Sequence, residues 1–321
     1  MNVIDNFLDK DLFFSYQIIY AFLSLVLSFY LTKKCIPFLE RFFIDLPKKR
    51  GSHYFPKPKA GGVVFLFLSF LVFLINRKFI FLLSLPLAII GLIDDFRGLS
   101  TNFRLIFQTI IASLFLILDK NNFINSNIEM AYLFFYVFYL IIFVGIINTM
   151  NFMDGIDGLV CSCMIIILLT ISIKYDAGFL PITFSLVGFL FFNWSPARVF
   201  MGDVGSTFLG CLYAAILLGS NSFYQFAEIF LLFIPLLADA FFCRFRMLIQ
   251  GRNLFKPHKL HLYQRLHQAG LNHANVSLIY LSATLILSIS LFLFNIYVSY
   301  FLAFAEICFG LYLEKNIAAK F

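Results

Sequence analysis

The chain has 321 residues, of which 61% are hydrophobic and 13% charged, with 46 Phe and a mean hydropathy of +0.92. A soluble domain is about 45–50% apolar and about 25% charged, so soluble globular and disordered readings are excluded. The net charge of +7 comes from 24 Lys and Arg against 17 Asp and Glu spread thinly along an apolar chain, not from the clustered basic face of a nucleic-acid binder; no nucleic-acid partner is expected.

Residues 1–12 carry Asp5, Asp9 and Asp11 against Lys10, the wrong charge for the start of a cleavable signal. The run Phe13–Leu31, closed by Lys33 and Lys34, therefore reads as a permanent first helix. Ten apolar runs follow: Val63–Ile75, Phe79–Ile93, Phe103–Leu118, Ala131–Ile147, Gly158–Ile173, Phe179–Phe192, Ser206–Leu218, Phe223–Phe242, Val276–Phe292 and Tyr297–Leu313. A helix crosses about 30 Å of hydrocarbon with about 20 residues, so the chain is predicted to be an all-α, polytopic transmembrane bundle of about eleven helices, with ten as the lower count. It forms one integral-membrane domain over residues 1–321. The long polar segments are Thr32–Lys59 and Arg244–Asn275. The six cysteines form no Cys-x-x-Cys pair, which suggests neither a redox motif nor a zinc site.

Positive charge sets the orientation. Of the 24 Lys and Arg residues, 19 fall on the odd-numbered connections and the C-terminal tail. Only Lys10, Arg77, Lys78, Lys120 and Lys174 fall on the N-terminus and the even connections. The odd connections are thus expected in the cytoplasm and the N-terminus outside. Every unusual polar cluster lies on an odd connection, so all can meet on one cytoplasmic surface.

There are four clusters. Asp94-Asp95 close the third apolar run; adjacent carboxylates near lipid need a cation, which Arg97 or a metal ion would supply. Asn148, Asn151, Asp154 and Asp157 step by three, which aligns them on one helical face. Gly155 and Gly158 allow a turn or close approach of a ligand, and oxygen donors on one face suit Mg²⁺ or Mn²⁺ rather than a soft metal. In Phe200-Met-Gly-Asp203-Val-Gly-Ser206, Ser206 opens a helix whose amides can take phosphate or which it simply caps, while Asp203 can hold a metal. Finally, Lys256-Pro-His258-Lys-Leu-His261-Leu-Tyr-Gln-Arg265-Leu-His267 gathers basic and titratable groups. His258 and His261 lack a third zinc ligand at convincing spacing, so a cationic clamp for a diphosphate fits better. Lys59, after Pro-Lys-Pro, can bind a lipid phosphate. Asp239 is expected to pair with Arg244 or Arg246, or to support the site; Glu228 and Glu306 receive no role.

The Asp-Asp pair, Asn-x-x-Asn-x-x-Asp-Gly-Ile-Asp-Gly and Phe-Met-Gly-Asp-x-Gly-Ser, in this order, resemble the polyprenyl-phosphate N-acetylhexosamine-1-phosphate transferase superfamily, glycosyltransferase family 4, over about residues 13–313. His258-Lys-Leu-His261-Leu-Tyr-Gln is closest to the His-Arg-x-His-x-Tyr-Gln pattern of the O-antigen-initiating branch, with Lys259 in place of Arg. The three-histidine run of the phospho-N-acetylmuramoyl-pentapeptide translocases is absent.

The resemblance implies an enzyme of the bacterial inner membrane in which undecaprenyl phosphate attacks the β-phosphorus of a UDP-N-acetyl sugar and UMP leaves. The branch implies a 6-deoxy sugar such as FucNAc or QuiNAc, with UDP-GlcNAc the runner-up, and a place at the start of O-antigen (lipopolysaccharide) or cell-wall polymer synthesis. By analogy Asn151 and Asp203 hold Mg²⁺ with Asp154 beside them, Asp94 and Asp95 serve as base or position the lipid phosphate, and Lys59, Asp157, His258, His261 and Arg265 contact substrate. A homodimer is compatible with the sequence. A secondary transporter built on Glu228, Asp239 and Glu306 would leave the cytoplasmic motifs unexplained, and a CDP-alcohol phosphotransferase needs an Asp-Gly-x-x-Ala-Arg signature not found here.

The charge split yields a topology test: cysteines introduced at Ser100 and Asn122 should label from opposite sides of the membrane, and labelling from one side would overturn the eleven-run arrangement.

Overall fold

The computed structural model describes residues 3–46, 55–118, 129–253 and 258–321. The expected external segment Asp119–Met130, with Asn122, lies almost wholly outside the described residues, as do Lys256 and Pro257. Each of the eleven apolar runs lies on helix. In chain order the helices are α1 (Val3–Phe42), α2 (Val63–Ile75), α3 (Ser84–Arg97, after a 3₁₀ turn at Phe79–Leu83), α4 (Thr101–Leu118), α5 (Glu129–Met153), α6 (Leu159–Lys174), α7 (Leu180–Asn193), α8 (Gly202–Leu218), α9 (Phe223–Leu232), α10 (Ile234–Ile249), α11 (Leu262–Gln268), α12 (His273–Leu293) and α13 (Ile296–Asn316). The protein is a multi-pass helical membrane protein. Among the described residues, six helical segments are individually long and apolar enough to cross a bilayer, and α2, α6, α7 and α8 are shorter apolar helices.

The structure departs from the sequence expectation in four places. Helix α1 continues to Phe42 through Pro37, and α5 runs on to Met153, so Asn148 and Asn151 sit on helix rather than in a connection. The ninth run breaks at Phe233 into α9 and α10, which meet at 72°. Pro235, at the start of α10, has no N–H to donate to the preceding turn. Helix α11 and a two-residue antiparallel ladder, Ile44–Asp45 on Lys57–Pro58, shape the two long polar segments. They are too short to show as periodic patterns.

Helix α8 is the axis of the bundle. From Val204 to Leu218 every residue is buried, and α3 and α5 pack along it. Outside this core, α1, α5 and α13 expose rows of large apolar side chains such as Phe22, Phe134 and Phe301, as lipid-facing helices do. With no water in hydrocarbon, helix hydroxyls turn back to their own backbones: Ser69 donates to the Phe65 carbonyl (2.7 Å), Thr170 to Ile166 (2.8 Å) and Thr284 to Tyr280 (2.9 Å).

Helices α1 and α7 touch through small residues. Ser28 Oγ donates to the Ser185 carbonyl at 2.6 Å, and a Cβ at Gly188 would lie 2.5 Å from the Leu25 carbonyl oxygen. Gly188→Leu must therefore push α1 away, and it should cost at least the ~1–3 kcal/mol of overpacking. Gly145→Leu, where a Cβ would meet nothing within 4 Å, should be tolerated. Melting of the detergent-solubilised variants checks the contrast.

Candidate active site

The C-terminal ends of α3 and α5 and the N-terminal ends of α4 and α8 meet at one end of the bundle. Asp95, buried on α3, accepts the Val204 N–H in the first turn of α8 at 3.1 Å, so a carboxylate occupies the positive end of that helix. Lys59 Nζ lies 3.5 Å from the other Asp95 oxygen. Asp94 accepts the Leu99 N–H and the Arg104 guanidinium at 2.7 Å, while the same Nη1 reaches Asp203 at 3.4 Å. From α5, the Asn151 carboxamide donates to Asp203 Oδ1 at 2.7 Å and to Ser206 Oγ at 3.0 Å. Ser206 in turn donates to the Gly202 carbonyl at 3.2 Å. It lies inside α8 and is not its cap.

Asp154 follows in the turn after α5. Burial and the nearby Asp203, Asp95 and Asp157 carboxylates push its acid group well above the ordinary carboxylate range. Four carboxylates thus face two cations, Lys59 and Arg104.

The step-by-three face does not stay together. Asn148 is held deeper, donating to Gln108 (2.7 Å) and the Val144 carbonyl (2.8 Å). Asp157 turns into a separate knot. It accepts the Ala197 N–H at 3.0 Å and lies 3.5 Å from Lys57 and 3.2 Å from His273. Burial alone would raise its pKa, but His273, the Ala197 amide and Lys57 outweigh that and hold it below the usual range. Asp157 is thus a fastening of the loops with partners of its own, although its charge still reaches Asp154.

The histidine segment docks against the same end. Asp239 on α10 accepts the Leu262 N–H (2.7 Å), the Tyr263 N–H (3.1 Å) and the Tyr280 hydroxyl (2.7 Å), and lies 3.4 Å from His261 Nδ1. Its partners are the start of α11 and α12, not Arg244 or Arg246. Tyr263 then reaches across to donate to the Phe152 carbonyl at 2.8 Å, beside Asn151. A Cβ at Gly155 would collide with the Tyr263 hydroxyl, and one at Gly158, where φ is +74°, with the Trp194 ring. Side chains of the protein itself, not a ligand, fill the space these glycines leave. His261 stacks near Phe152 (centroids 6.2 Å apart) and His258 near His261 (5.2 Å). Burial, with His261 and the guanidinium groups of Arg244 and Arg252 nearby, pushes His258 down to about 4, so it is uncharged at neutral pH. Arg265 bonds Glu314 and the Ala319 carbonyl, tying α11 to the C-terminal tail rather than lending a cation to the site.

The structure therefore gathers Asp94, Asp95, Asn151, Asp154, Asp203 and Lys59, sets His258 and His261 beside Phe152, and directs Asp157 and Arg265 to structural fastenings. The sequence reading missed Arg104. A cation in the first turn of a helix opposes the helix dipole and so implies an anionic partner, a signal stronger than the adjacent Arg97. The carboxylates of the transporter alternative are divided: Glu228 pairs with Lys174 at 2.7 Å and with Tyr175 at the other end of the bundle, while Asp239, which holds α11, and Glu306 line one cavity that Glu228 does not reach.

A family model, glycosyl transferase family 4, matches residues 78–221, the stretch that contains all four carboxylates, Asn151 and Arg104. The chain is 31% identical over 242 residues to the undecaprenyl-phosphate alpha-N-acetylglucosaminyl 1-phosphate transferase of Thermotoga maritima, covering 74% of this chain and 78% of the relative. The chain belongs to glycosyl transferase family 4. This family 4 enzyme is also 31% identical over 266 residues to a phospho-N-acetylmuramoyl-pentapeptide-transferase of Prochlorococcus marinus, with 70% of each covered. To the probable undecaprenyl-phosphate N-acetylglucosaminyl 1-phosphate transferase of Bacillus subtilis it is 28% identical over 297 residues, covering 83% of this chain and 82% of the relative.

The Gly155–Tyr263 contact is testable by a double-mutant cycle. Gly155→Ala should cost the transferase about 1–3 kcal/mol through the clash and Tyr263→Phe about 1 kcal/mol through the lost hydrogen bond. The double variant should lose less than the sum, because removing the hydroxyl relieves the clash. Additive losses in chemical unfolding would show that the two residues do not touch.

Proposed function

We propose that this transferase moves an N-acetylhexosamine 1-phosphate from a UDP-sugar to undecaprenyl phosphate, releasing UMP, in the bacterial inner membrane and from a single catalytic unit spanning the chain. The observation that carries this reading is the under-compensated carboxylate centre at the helix ends, where a soluble nucleotide sugar and a lipid phosphate can meet. The names of the relatives support the same substrate pair.

The lipid phosphate oxygen forms a bond to the β-phosphorus as the bond to the UMP oxygen breaks. A phosphate monoester with a second pKa of about 6 is already mostly dianionic at neutral pH, so no proton need be removed by Asp94 or Asp95. Each of those carboxylates instead holds a cation in place, Arg104 and Lys59 respectively, ready for phosphate charge. Phosphoryl transfer asks mainly for such positioning and charge neutralisation.

The donor set also fits a divalent cation. Asp203, Asp154 and Asn151 offer only oxygen ligands, as Mg²⁺ or Mn²⁺ prefers. With all four carboxylates ionised, Lys59 and Arg104 would leave two negative charges, which a divalent cation would balance, and its binding would draw the proton from the raised Asp154. When bound, Mg²⁺ would neutralise the diphosphate and stabilise the departing UMP. Asp203, Asn151 and Asp154 are its proposed ligands.

For the donor, the His258-Lys-Leu-His261-Leu-Tyr-Gln pattern favours a UDP-linked 6-deoxy sugar such as FucNAc or QuiNAc, which would start an O-antigen or related surface polysaccharide. The relatives named for N-acetylglucosaminyl transfer keep UDP-GlcNAc as the second candidate. Membranes given labelled undecaprenyl phosphate and a panel of UDP-N-acetyl sugars decide between them; no transfer from any donor would reject the function.

Asp203→Asn keeps the side-chain size and removes a charge. It should lower both the forward reaction and UMP-dependent reversal by at least about 10²-fold, with unchanged melting. Excess EDTA should abolish transfer and Mg²⁺ or Mn²⁺ restore it, whereas activity persisting in EDTA would remove the metal role from Asp203, Asn151 and Asp154.

A further inference from the structure

The histidine segment contains a second constellation that the carboxylate chemistry does not use. Cys243 on α10, His258 in the connection and His261 at the start of α11 each present a ligand atom, and these atoms all lie within 4.8 Å of one another. Cys243 and His261 are buried. In sequence the two histidines alone lack a third ligand, and the bundle supplies it from a residue fifteen positions earlier.

Both imidazoles are oriented. His258 Nδ1 accepts the Leu260 N–H at 3.4 Å, which leaves Nε2 as its remaining nitrogen. His261 Nδ1 is buried without a hydrogen-bond partner and lies 3.4 Å from Asp239 Oδ1. A metal on Nε2 would complete a carboxylate–histidine–metal relay, the arrangement that commonly fixes the tautomer and ring of a zinc-bound histidine. Asp239 and Cys243 lie one helical turn apart on α10, so both face the same connection. A thiolate at Cys243 and the Asp239 carboxylate together carry the two negative charges that a divalent ion requires in a buried setting.

We propose that Cys243, His258 and His261 bind one Zn²⁺, with water in the fourth position and Asp239 orienting His261. One sulfur and two imidazole nitrogens form a borderline-soft set that suits Zn²⁺ and not Mg²⁺, so the site is chemically separate from the oxygen-only carboxylate centre. The ion would pin the connection between α10 and α11 to the body of α10. Since Tyr263 bonds the Phe152 carbonyl beside Asn151, it would hold that connection against the active site. The proposal does not rest on the transferase reading.

The test uses the full-length protein, purified in detergent without a histidine tag and equilibrated with Zn²⁺, then freed of loosely held metal. Elemental analysis should give one zinc per chain. Cys243→Ser and His258→Ala should each fall to less than about a tenth of that. Replacing zinc with Co²⁺ should produce a sulfur-to-cobalt charge-transfer band in the wild type that Cys243→Ser lacks. A zinc-selective chelator should lower the wild-type melting temperature with Mg²⁺ present throughout. The wild-type measurements stand even if a variant fails to fold. Sub-stoichiometric zinc and no sulfur–cobalt band would overturn the site. UDP-sugar binding that weakens with His261→Ala but not with Cys243→Ser, in zinc-free protein, would return the histidines to the diphosphate contact expected from sequence.

Discussion

The site depends on how closely α3 approaches the start of α8. A Cβ at Gly91 would lie 2.5 Å from the Asp203 carbonyl oxygen, so only glycine lets the two backbones meet there. That contact puts Asp95 under the first turn of α8, where the Val204 N–H meets its carboxylate. A helix N-terminus buried in an apolar bundle needs acceptors for its orphan amides, and Asp95 is one. Its neighbour Asp94 then faces Arg104 and Asp203, and the remaining carboxylates gather around a point fixed by backbone packing.

The two ends of the bundle treat charge differently. At the far end, among the described residues, buried Glu228 pairs with Lys174 and half-buried Lys78 with Asp176, while Asn76 bonds Gln17 and the Gly178 carbonyl. Those pairs are closed, as buried ions in an apolar setting must be. At the active end Asp94 and Asp203 share one guanidinium, and Asp154 adds charge that Lys59 and Arg104 do not balance. The fold thus pairs its charges on one side and leaves carboxylates crowded together on the other. This contrast separates the carboxylate cluster from Glu228 and Asp239, which a list of intramembrane acids would treat alike.

Much of this was legible in the sequence, for definable reasons. The eleven runs are continuous blocks of apolar residues, and blocks need no tertiary information to be read. The odd-connection rule correctly put Asp94, Asn151, Asp203 and His261 at one end, since strict alternation across a membrane permits nothing else. What failed was the assignment of individual partners. Step-by-three spacing aligned Asn151, Asp154 and Asp157 only while the helix lasted; α5 ends at Met153, and the Gly155–Gly158 turn sends Asp157 to Lys57 and His273. Arg265 looked like part of a basic loop, but its guanidinium is engaged by Glu314, nearly fifty residues away. Arg104 was passed over because it lies inside an apolar block, and Cys243 because it stands at the edge of one, where composition conceals a single polar or sulfur atom.

Asp239 shows why such residues matter to the chemistry without touching it. It is buried on α10, just after the bend at Pro235, and its oxygens receive the first amides of α11 and the Tyr280 hydroxyl of α12, with His261 Nδ1 3.4 Å away. One carboxylate therefore fixes three elements relative to each other. Through Tyr263 the constraint passes to the Phe152 carbonyl, one residue from Asn151. The 72° break that gives α10 its direction is thus coupled to the position of an Asp203 partner by two hydrogen bonds, Tyr263 N–H to Asp239 and the Tyr263 hydroxyl to the Phe152 carbonyl. Loosening Asp239 would leave the carboxylate cluster intact but free the connection that lies against it, so a change at this position acts on the position of that connection and not on the charge of the cluster.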